Sequence, residues 1–494
     1  MFSSSFAGLR VKILAMRSIS TLMQIGYNSF PEMNSKVAKA CATSLMAARI
    51  NDFVGKFVDL NSAPQSADKN KVFIERNRNL DYSVLQSDFV KIPGNPISYW
   101  ASDTLKSTFI AGPPISDLAG FRAGVSTGDN SKFQRYWHEV GQFNTKLGST
   151  DHDADAMLKW FPCNSGAPFR KWYGNNELVI DWEEGGCRIK AFPGSAVRNE
   201  DTFFKVGITY TKISSGRFSA RYKPSGFVYD DTGRSVFCVN ETETLFALGL
   251  LCSEVANAYL SVLAPGMSFT SAELGRIPVL ELNRSAIGNN VERLITIARE
   301  DWDSHEISWD FGRLSLLENG ARTLAESWLL YSAHAGKLVA ETQRRETDNN
   351  RLFIAAYGLQ DELSPEVPED QITLARSDRE KDCQRLTSYA IGCMMGRYSL
   401  DEPGLIYAHA GNVDFDPGRY KKKFPADADG IVPLTNERWF DDDAASRVRE
   451  FLGTVWGNAI KLSESDIMTS RIQSQPNSLE IDNMENFQNL CQHL

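Results

Sequence analysis

The hydrophobic period changes partway along this chain, and that change restricts the architecture more than any other feature. Phe204, Val206, Ile208 and Tyr210 alternate with Lys205, Gly207, Thr209 and Thr211, the period of two of a half-buried strand. Ser214, Ser215 and Gly216 supply a turn. Phe218, Ala220 and Tyr222 then alternate with Arg217, Ser219, Arg221 and Lys223, which predicts a hairpin with one basic face. Beyond it the period lengthens. Leu248, Leu251, Val255, Tyr259 and Val262 form one stripe, predicting a helix over Leu245–Leu263 that Pro265 and Gly266 end. Val291, Leu294, Ile295 and Ala298 form a second stripe, and Leu324, Trp328, Tyr331, Ala335 and Leu338 a third. The charged run Glu341–Arg351 continues or caps a solvated helix. Strands first and helices afterwards is the order of an α+β fold.

The flanks are less regular. Met1 to Ala48 reads as a helix, a short apolar strand at Leu22–Gly26 and an alanine-rich helix from Ser35, too little to be a domain. Its first 31 residues carry Arg10, Lys12 and Arg17 and no acid, a composition shared by transit peptides and by an exposed helix and strand of a larger domain; we take the second reading. Asn61–Lys69 is a polar loop, and Pro93, Pro96, Pro113 and Pro114 around Tyr99 and Trp100 mark an irregular connector. After Asp401 the chain turns acidic and loop-rich. A length of 494 residues calls for two to four domains.

Several chemistries are set aside. LFALGLL (Leu245–Leu251) and YAIGCMMG (Tyr389–Gly396) are too short to span a membrane. Eight cysteines without a CxxC pair, and six scattered histidines, fit reduced structural cysteines in a cytoplasmic protein rather than a metal site. Asp151, Asp153 and Asp155 around His152–Ala156 invite a calcium or magnesium reading, but no EF-hand Gly and Glu follow, so a solvated loop is expected. Phosphate loops, nucleophile elbows and deaminase zinc motifs are missing. A net charge of -9 excludes a protein that coats nucleic acid over its whole surface, so any contact with it must be local.

One segment is locally basic. From Lys159 to Lys223 eleven cations face six acids, a net of +5, interleaved with aromatics such as Trp160, Phe169, Trp172, Tyr173, Trp182 and Phe192. Arginine grips phosphates and guanine edges, and aromatic rings stack on unpaired bases. Most of these aromatics are expected in a core. FRKWYG (Phe169–Gly174) and the face of Arg217, Arg221 and Lys223 are read as functional, with Arg198 beside them.

Ten residues, GVSTGDNSKF at Gly124–Phe133, resemble the GxxTGxN segment that opens the target-recognition domain of BREX (Pgl-type) phage-defence adenine-specific DNA methyltransferases. KWFPCNSGAPFRKWYGNNELVIDWEEGG (Lys159–Gly186), FFKVGITYTKISSGRFSARYKPSGFVYDD (Phe203–Asp231), EDWDSHEISWDF (Glu300–Phe311) and SYAIGCMMGRYSLDEPGL (Ser388–Leu405) follow in the family's order, so the resemblance runs over about residues 1 to 456. That family binds S-adenosylmethionine and grips a flipped adenine with an NPPY motif in its N-terminal half. This chain has only GNPIS (Gly94–Ser98) and GPPIS (Gly112–Ser116), neither of which has the required order, and no Gly-rich cofactor loop.

The resemblance therefore implies a back half: residues 1–60 as the remnant of a methyltransferase α/β domain, 61–120 as the Pro-rich connector, 121–285 as a mostly β target-recognition module, 286–400 as a helical spacer, and 401–494 as a loop-rich end. From Gly457 the resemblance is lost, which suits a fragment, a frameshift or a divergent end, and the enzyme's natural start is expected upstream. Double-stranded DNA is the implied partner, contacted by Thr127, Gly128, Asp129, Asn130, Arg170, Lys171, Trp172, Tyr173, Arg198, Arg217, Arg221 and Lys223. S-adenosylmethionine belongs to the full-length family and is not expected to bind here, so the chain would not transfer a methyl group alone. A separate methyltransferase chain or other BREX subunits are the further partners implied. Two alternatives stand beside this reading: a helical scaffold for defence subunits, and a decayed fragment.

Overall fold

Apolar residues near the N-terminus cannot stay exposed, and they are gathered by a small sheet. Helix α1 (Ala7–Met16) leads into β1 (Ser18–Gly26), which turns Leu22, Gln24 and Gly26 inward. β2 (Ala40–Met46) pairs antiparallel with β1, Ser18 facing Met46; β3 (Val54–Asp59) runs parallel to β1 on its other side, Leu22 facing Phe57. After helix α2 (Lys69–Ile74), capped by Asp68, β4 (Asp81–Leu85) closes the order β2-β1-β3-β4. Ile19, Leu22, Phe57, Phe89, Ile97 and Tyr99 form its core. The computed structural model describes residues 2, 6–26, 29, 40–64, 66–76, 78–141, 144–147, 158–214, 216–318, 320–408, 415–420, 423–428, 430–434 and 439–457. His152–Ala156, with the three aspartates weighed as a metal loop, and the tail after Gly457 lie outside the described residues.

Two expectations change in this region. The alanine-rich segment read as helix is strand β2 from Ala40, because the ladder offered by β1 outweighs a propensity of a few tenths of a kcal/mol per residue. The stretch 61–120 is not an irregular connector: it supplies β4, Phe89, Ile97 and Tyr99 to the sheet's core, then helix α3 (Asp103–Ala111) capped by Ser102.

Two further sheets follow. β5 (Ala119–Arg122), α4 (Asn130–Phe133), β6 (Gln134–Tyr136), β7 (Trp160–Asn164), β8 (Leu178–Asp181), α5 (Cys187–Lys190), β9 (Gly207–Thr211), β10 (Ala220–Lys223), β11 (Val228–Tyr229) and β12 (Gly233–Cys238) come in that order. One sheet is β10-β9-β12-β5, wholly antiparallel; the other is β11-β7-β8-β6, with β11 parallel to β7. The expected hairpin forms, Tyr210 facing Ala220 and Gly207 facing Lys223. It is shorter than the alternation suggests, since Phe204 sits at φ +64 outside the ladder. It is also covered on both faces, as the consecutive burial of Ile208, Thr209 and Tyr210 shows.

The helix read over Leu245–Leu263 is two helices, α6 (Glu241–Leu251) and α7 (Glu254–Leu263), bent by 69°. Ser253 breaks them, its hydroxyl accepting the Ala256 N–H as an N-cap. α6 is buried from Phe246 to Leu251 without a polar face, the mark of a central helix. After the short α8 (Ser271–Leu274), the long helices are α9 (Arg284–Asp303), α10 (Leu324–Ala356), α11 (Arg379–Met394) and α12 (Ala444–Trp456). α12 falls where loop was expected; its stripe of Val448, Phe451 and Leu452 shares a core with Leu386 and Tyr389 of α11. The charged run of α10 continues the helix and is solvated on one face only: Arg344 and Arg351 are exposed, while Thr342, Glu346, Thr347, Asn349 and Asn350 are buried. No single helix among the described residues is long and apolar enough to cross a membrane. No disulfide joins the described cysteines, and Cys491 lies outside the described residues.

Candidate nucleic-acid interface

FRKWYG is placed by backbone pairing. Trp172, held at φ +70, bridges Arg221: its N–H donates to Ala220 O at 3.1 Å, and its carbonyl accepts the Tyr222 N–H at 2.7 Å. That pairing lays the cluster between β10 and the helices. Arg170 donates to Asp301 of α9 at 2.7 Å and to Tyr173 O at 2.8 Å, with its guanidinium 5.0 Å from the Trp302 ring. Lys171 pairs with Glu346 of α10, and Trp172 Nε1 donates to the other oxygen of the same carboxylate at 2.7 Å. Tyr173 lies under Arg299, and burial, aided by Asp303, pushes its hydroxyl up to about 12. Lys171, Trp172 and Tyr173 are therefore buried and Arg170 is occupied, so this cluster fastens the β-rich region to α9 and α10 instead of presenting a surface.

The hairpin's basic face is corrected in the same way. Arg217 is half-exposed but is held by Glu254 and by Gln371 at 2.9 Å. Arg221 is 1% exposed, and none of its three nitrogens has a hydrogen-bond partner; burial, then the charge of Arg170, lowers its pKa to about 10. Lys223 is fully buried between the rings of Tyr229 and Phe237, donating to Lys205 O at 2.5 Å, and burial lowers its pKa to about 7. A period of two assigns residues to faces; it does not say that a face is open.

Within Gly124–Asn130, Gly128 and Asn130 are exposed while Gly124, Val125 and Thr127 are buried. A Cβ on Gly124 would sit 1.8 Å from Tyr229 O, and Gly128 adopts φ +76, so both glycines are demanded by the backbone. Thr127 is buried, donating to Asn130 Oδ1 at 2.5 Å and accepting the Asp129 N–H at 3.2 Å. Asp129 caps α4 through the Lys132 N–H and accepts the Ser131 hydroxyl at 2.6 Å, a bond that lowers its pKa. Ser126 and Ala196 exchange backbone hydrogen bonds of 2.8 and 2.7 Å, so Arg198, two residues on, stands at the level of Gly124.

The exposed residues form a lip, with Gly128, Asn130, Ser131 and Lys132 at one end of the Ser126–Ala196 bridge and Arg198 at the other. Lys132 lies 4.7 Å from the Phe192 ring, Arg122 is exposed on the adjoining edge strand, and Arg198 has no hydrogen bond or ion pair with any described residue. Sequence reasoning named the turn and Arg198 but not Lys132 or Arg122; the N-cap pattern Asp129-x-x-Lys132 was the signal for a cation on that turn. It also missed Asp301, Glu254 and Glu346, the acids that occupy the other cations. For Glu346 the signal was a stripe of Val339, Thr342, Glu346, Asn349 and Phe353 at helical spacing.

No family model matches the chain. The chain is 35% identical over 477 residues to the adenine-specific methyltransferase PglX of Lacticaseibacillus casei (strain Zhang), which covers 93% of this chain. It is 33% identical over 481 residues, 92% of its length, to the adenine-specific methyltransferase BrxX of Escherichia coli O9:H4 (strain HS). The chain is a relative of the BREX-type adenine-specific methyltransferases. It spans 39% of the length of each of these methyltransferases. The Type IIL restriction-modification enzyme MmeI, solved in complex with DNA, overlaps 74% of this chain and 47% of its own at a TM-score of 0.44 and 12% identity, too loosely to transfer a role.

Neither near-match to NPPY is free to grip an adenine. In GNPIS, Gly94 O and Asn95 O accept bonds from buried Arg10, and Ile97 and Ser98 are wholly buried. In GPPIS, Pro114 bridges Pro278 and the Ile115 N–H donates to Ile277 O at 2.7 Å. Both strings are structural joints.

Proposed function

We propose that this chain is the DNA-recognition part of a site-specific, S-adenosylmethionine-dependent adenine methyltransferase of BREX phage defence. Residues 121–285 serve as the target-recognition module, 286–400 as the helical spacer that braces it, and methyl transfer belongs to a catalytic part supplied from elsewhere. The kinship with PglX and BrxX along nearly the whole chain supports the class of activity. The observation that carries the DNA-reading role is the lip, where Arg198, without a partner among the described residues, stands exposed at one end of the Gly124–Asn130 segment with Arg122 exposed on the adjoining strand, and Lys132 stands exposed at the other end. Backbone phosphates are the natural ligands of such cations, and Asn130 is placed to reach a base edge or a phosphate.

Titration of duplex DNA against the full chain at several salt concentrations tests this. Binding is expected to weaken steeply with salt, the logarithmic slope falling by about 0.9 for each phosphate contact removed, as in Arg198→Ala. Salt-independent binding, or none in a folded sample, defeats the proposal.

A scaffold role has one observation in its favour, the exposure of Leu329 (62%) and Leu330 (46%) on the first half of α10. Partners retained in a pull-down after nuclease treatment would support it.

A further inference from the structure

The lip runs directly into a free sheet edge. α4 closes at Phe133, β6 opens at Gln134, and β6 ends its sheet with β8 as its neighbour on one side. A free edge invites another strand, but side chains of this segment already occupy it. The Arg135 guanidinium folds back along it, donating through Nη1 to Gln134 O at 2.7 Å and to Ser131 O, and the Glu139 carboxylate accepts the Tyr136 N–H at 2.8 Å. An added strand is therefore a poor occupant.

What the edge presents outward is a set of donors. Arg135 has no ion pair with any described residue, and its hydrogen bonds to them run through Nη1, which leaves Nε and Nη2 for a ligand. Tyr136 is 47% exposed, and its ring stacks on that of exposed His138, the centroids 5.6 Å apart and the planes 10° from parallel. His138 in turn meets buried Trp137 edge-on at 5.8 Å, so a core residue fixes the stack. Asp129, the acid at the start of the segment, is engaged by the Lys132 N–H and the Ser131 hydroxyl. Donors on a guanidinium and a held phenol, beside the unpaired Lys132 of the lip, suit the oxygens of a polyanion.

We propose that the β6 edge carries the DNA contact beyond the lip: Arg135 and the Tyr136 hydroxyl each donate to a backbone phosphate, and His138 is the positioning residue that holds the Tyr136 ring. Glu177 is close enough for its charge to act on His138, which disfavours a phosphate on the imidazole itself. The inference rests on the proposed DNA-recognition role for the identity of the polyanion.

Anisotropy titration of the full chain with a labelled duplex at several salt concentrations tests it, with Arg198→Ala for comparison. Arg135→Ala should weaken binding about tenfold at fixed salt and lower the logarithmic slope by about 0.9, and Arg135→Lys should restore the slope. Tyr136→Phe should cost about fivefold. His138→Ala should cost about threefold, and His138→Phe, which keeps a ring to stack on, should recover it. Bound duplex should also slow acetylation of Tyr136 by N-acetylimidazole severalfold, read by mass spectrometry on the parent chain, so the contact is tested even if a variant fails to fold by thermal melt.

Parent-like binding by Arg135→Ala and Tyr136→Phe while Arg198→Ala binds weakly overturns the β6 contact and leaves DNA recognition standing. No duplex binding by the folded parent overturns both. An acetylation rate unchanged by duplex overturns the Tyr136 contact, and an equal loss in His138→Phe and His138→Ala overturns the positioning role.

Discussion

Phe169–Gly174 and the lip of Gly124–Asn130 with Phe192–Arg198 are both aromatic and cationic, yet they face opposite ways. The first gives Arg170 to Asp301, and Lys171 and Trp172 to Glu346, and so ties strands to helices far along the chain. The second keeps Arg198 unpaired and Lys132 over an aromatic ring at the surface. Composition cannot separate them. What separates them is whether acids from distant segments arrive to neutralise the cations.

If the inner cluster is a fastening, Glu346→Ala strands Lys171 in a buried site and should cost about 3 to 5 kcal/mol in urea unfolding. A loss below about 1 kcal/mol would show that the helices do not depend on it.

Lys223 offers a second way to probe the interior. Its folded pKa near 7, against 10.5 in the unfolded chain, means that the unfolded chain holds more protons between those values. Stability should therefore rise with pH from about 7 to 10.5, by on the order of a few kcal/mol, and Lys223→Met should flatten that rise. A stability curve unchanged by the substitution would place the ammonium in water.

Arg221 is buried and its three nitrogens lack a partner among the described residues, so it is expected to cost the fold stability and to make no DNA contact. Arg221→Met should leave DNA affinity unchanged and stabilise the fold by about 1 to 4 kcal/mol. A loss of DNA affinity at unchanged stability would return this arginine to the interface.

The outer cluster predicts the smallest change in stability and a change in binding alone. Arg198→Ala should alter unfolding by no more than about 0.5 kcal/mol while lowering DNA affinity in a salt-dependent manner. Equal binding by variant and parent across salt concentrations would remove the lip from the interface.

Local signals carried a good part of the architecture. The β9–β10 hairpin was legible because alternation and a turn are properties of adjacent residues, and α9 because its stripe repeats within one helix. β2 was not, since its strand conformation comes from β1, and neither was the 69° break between α6 and α7 until Ser253 is recognised as a cap. Glycines 124 and 128 of the recognised turn mark real backbone demands, so the motif was readable as geometry before it was readable as function.

By itself, then, the sequence determined the kinship with BREX-type methyltransferases, the mixed α+β content, the hairpin and the rigid turn, because each is written in residues close together along the chain. Which cations face solvent was decided only by tertiary structure. Capture of Arg170 by Asp301 and of Lys171 by Glu346 joins segments 131 and 175 residues apart, and Lys223 is buried against Tyr229 and Phe237 of other strands, encounters that no periodicity within a single element records.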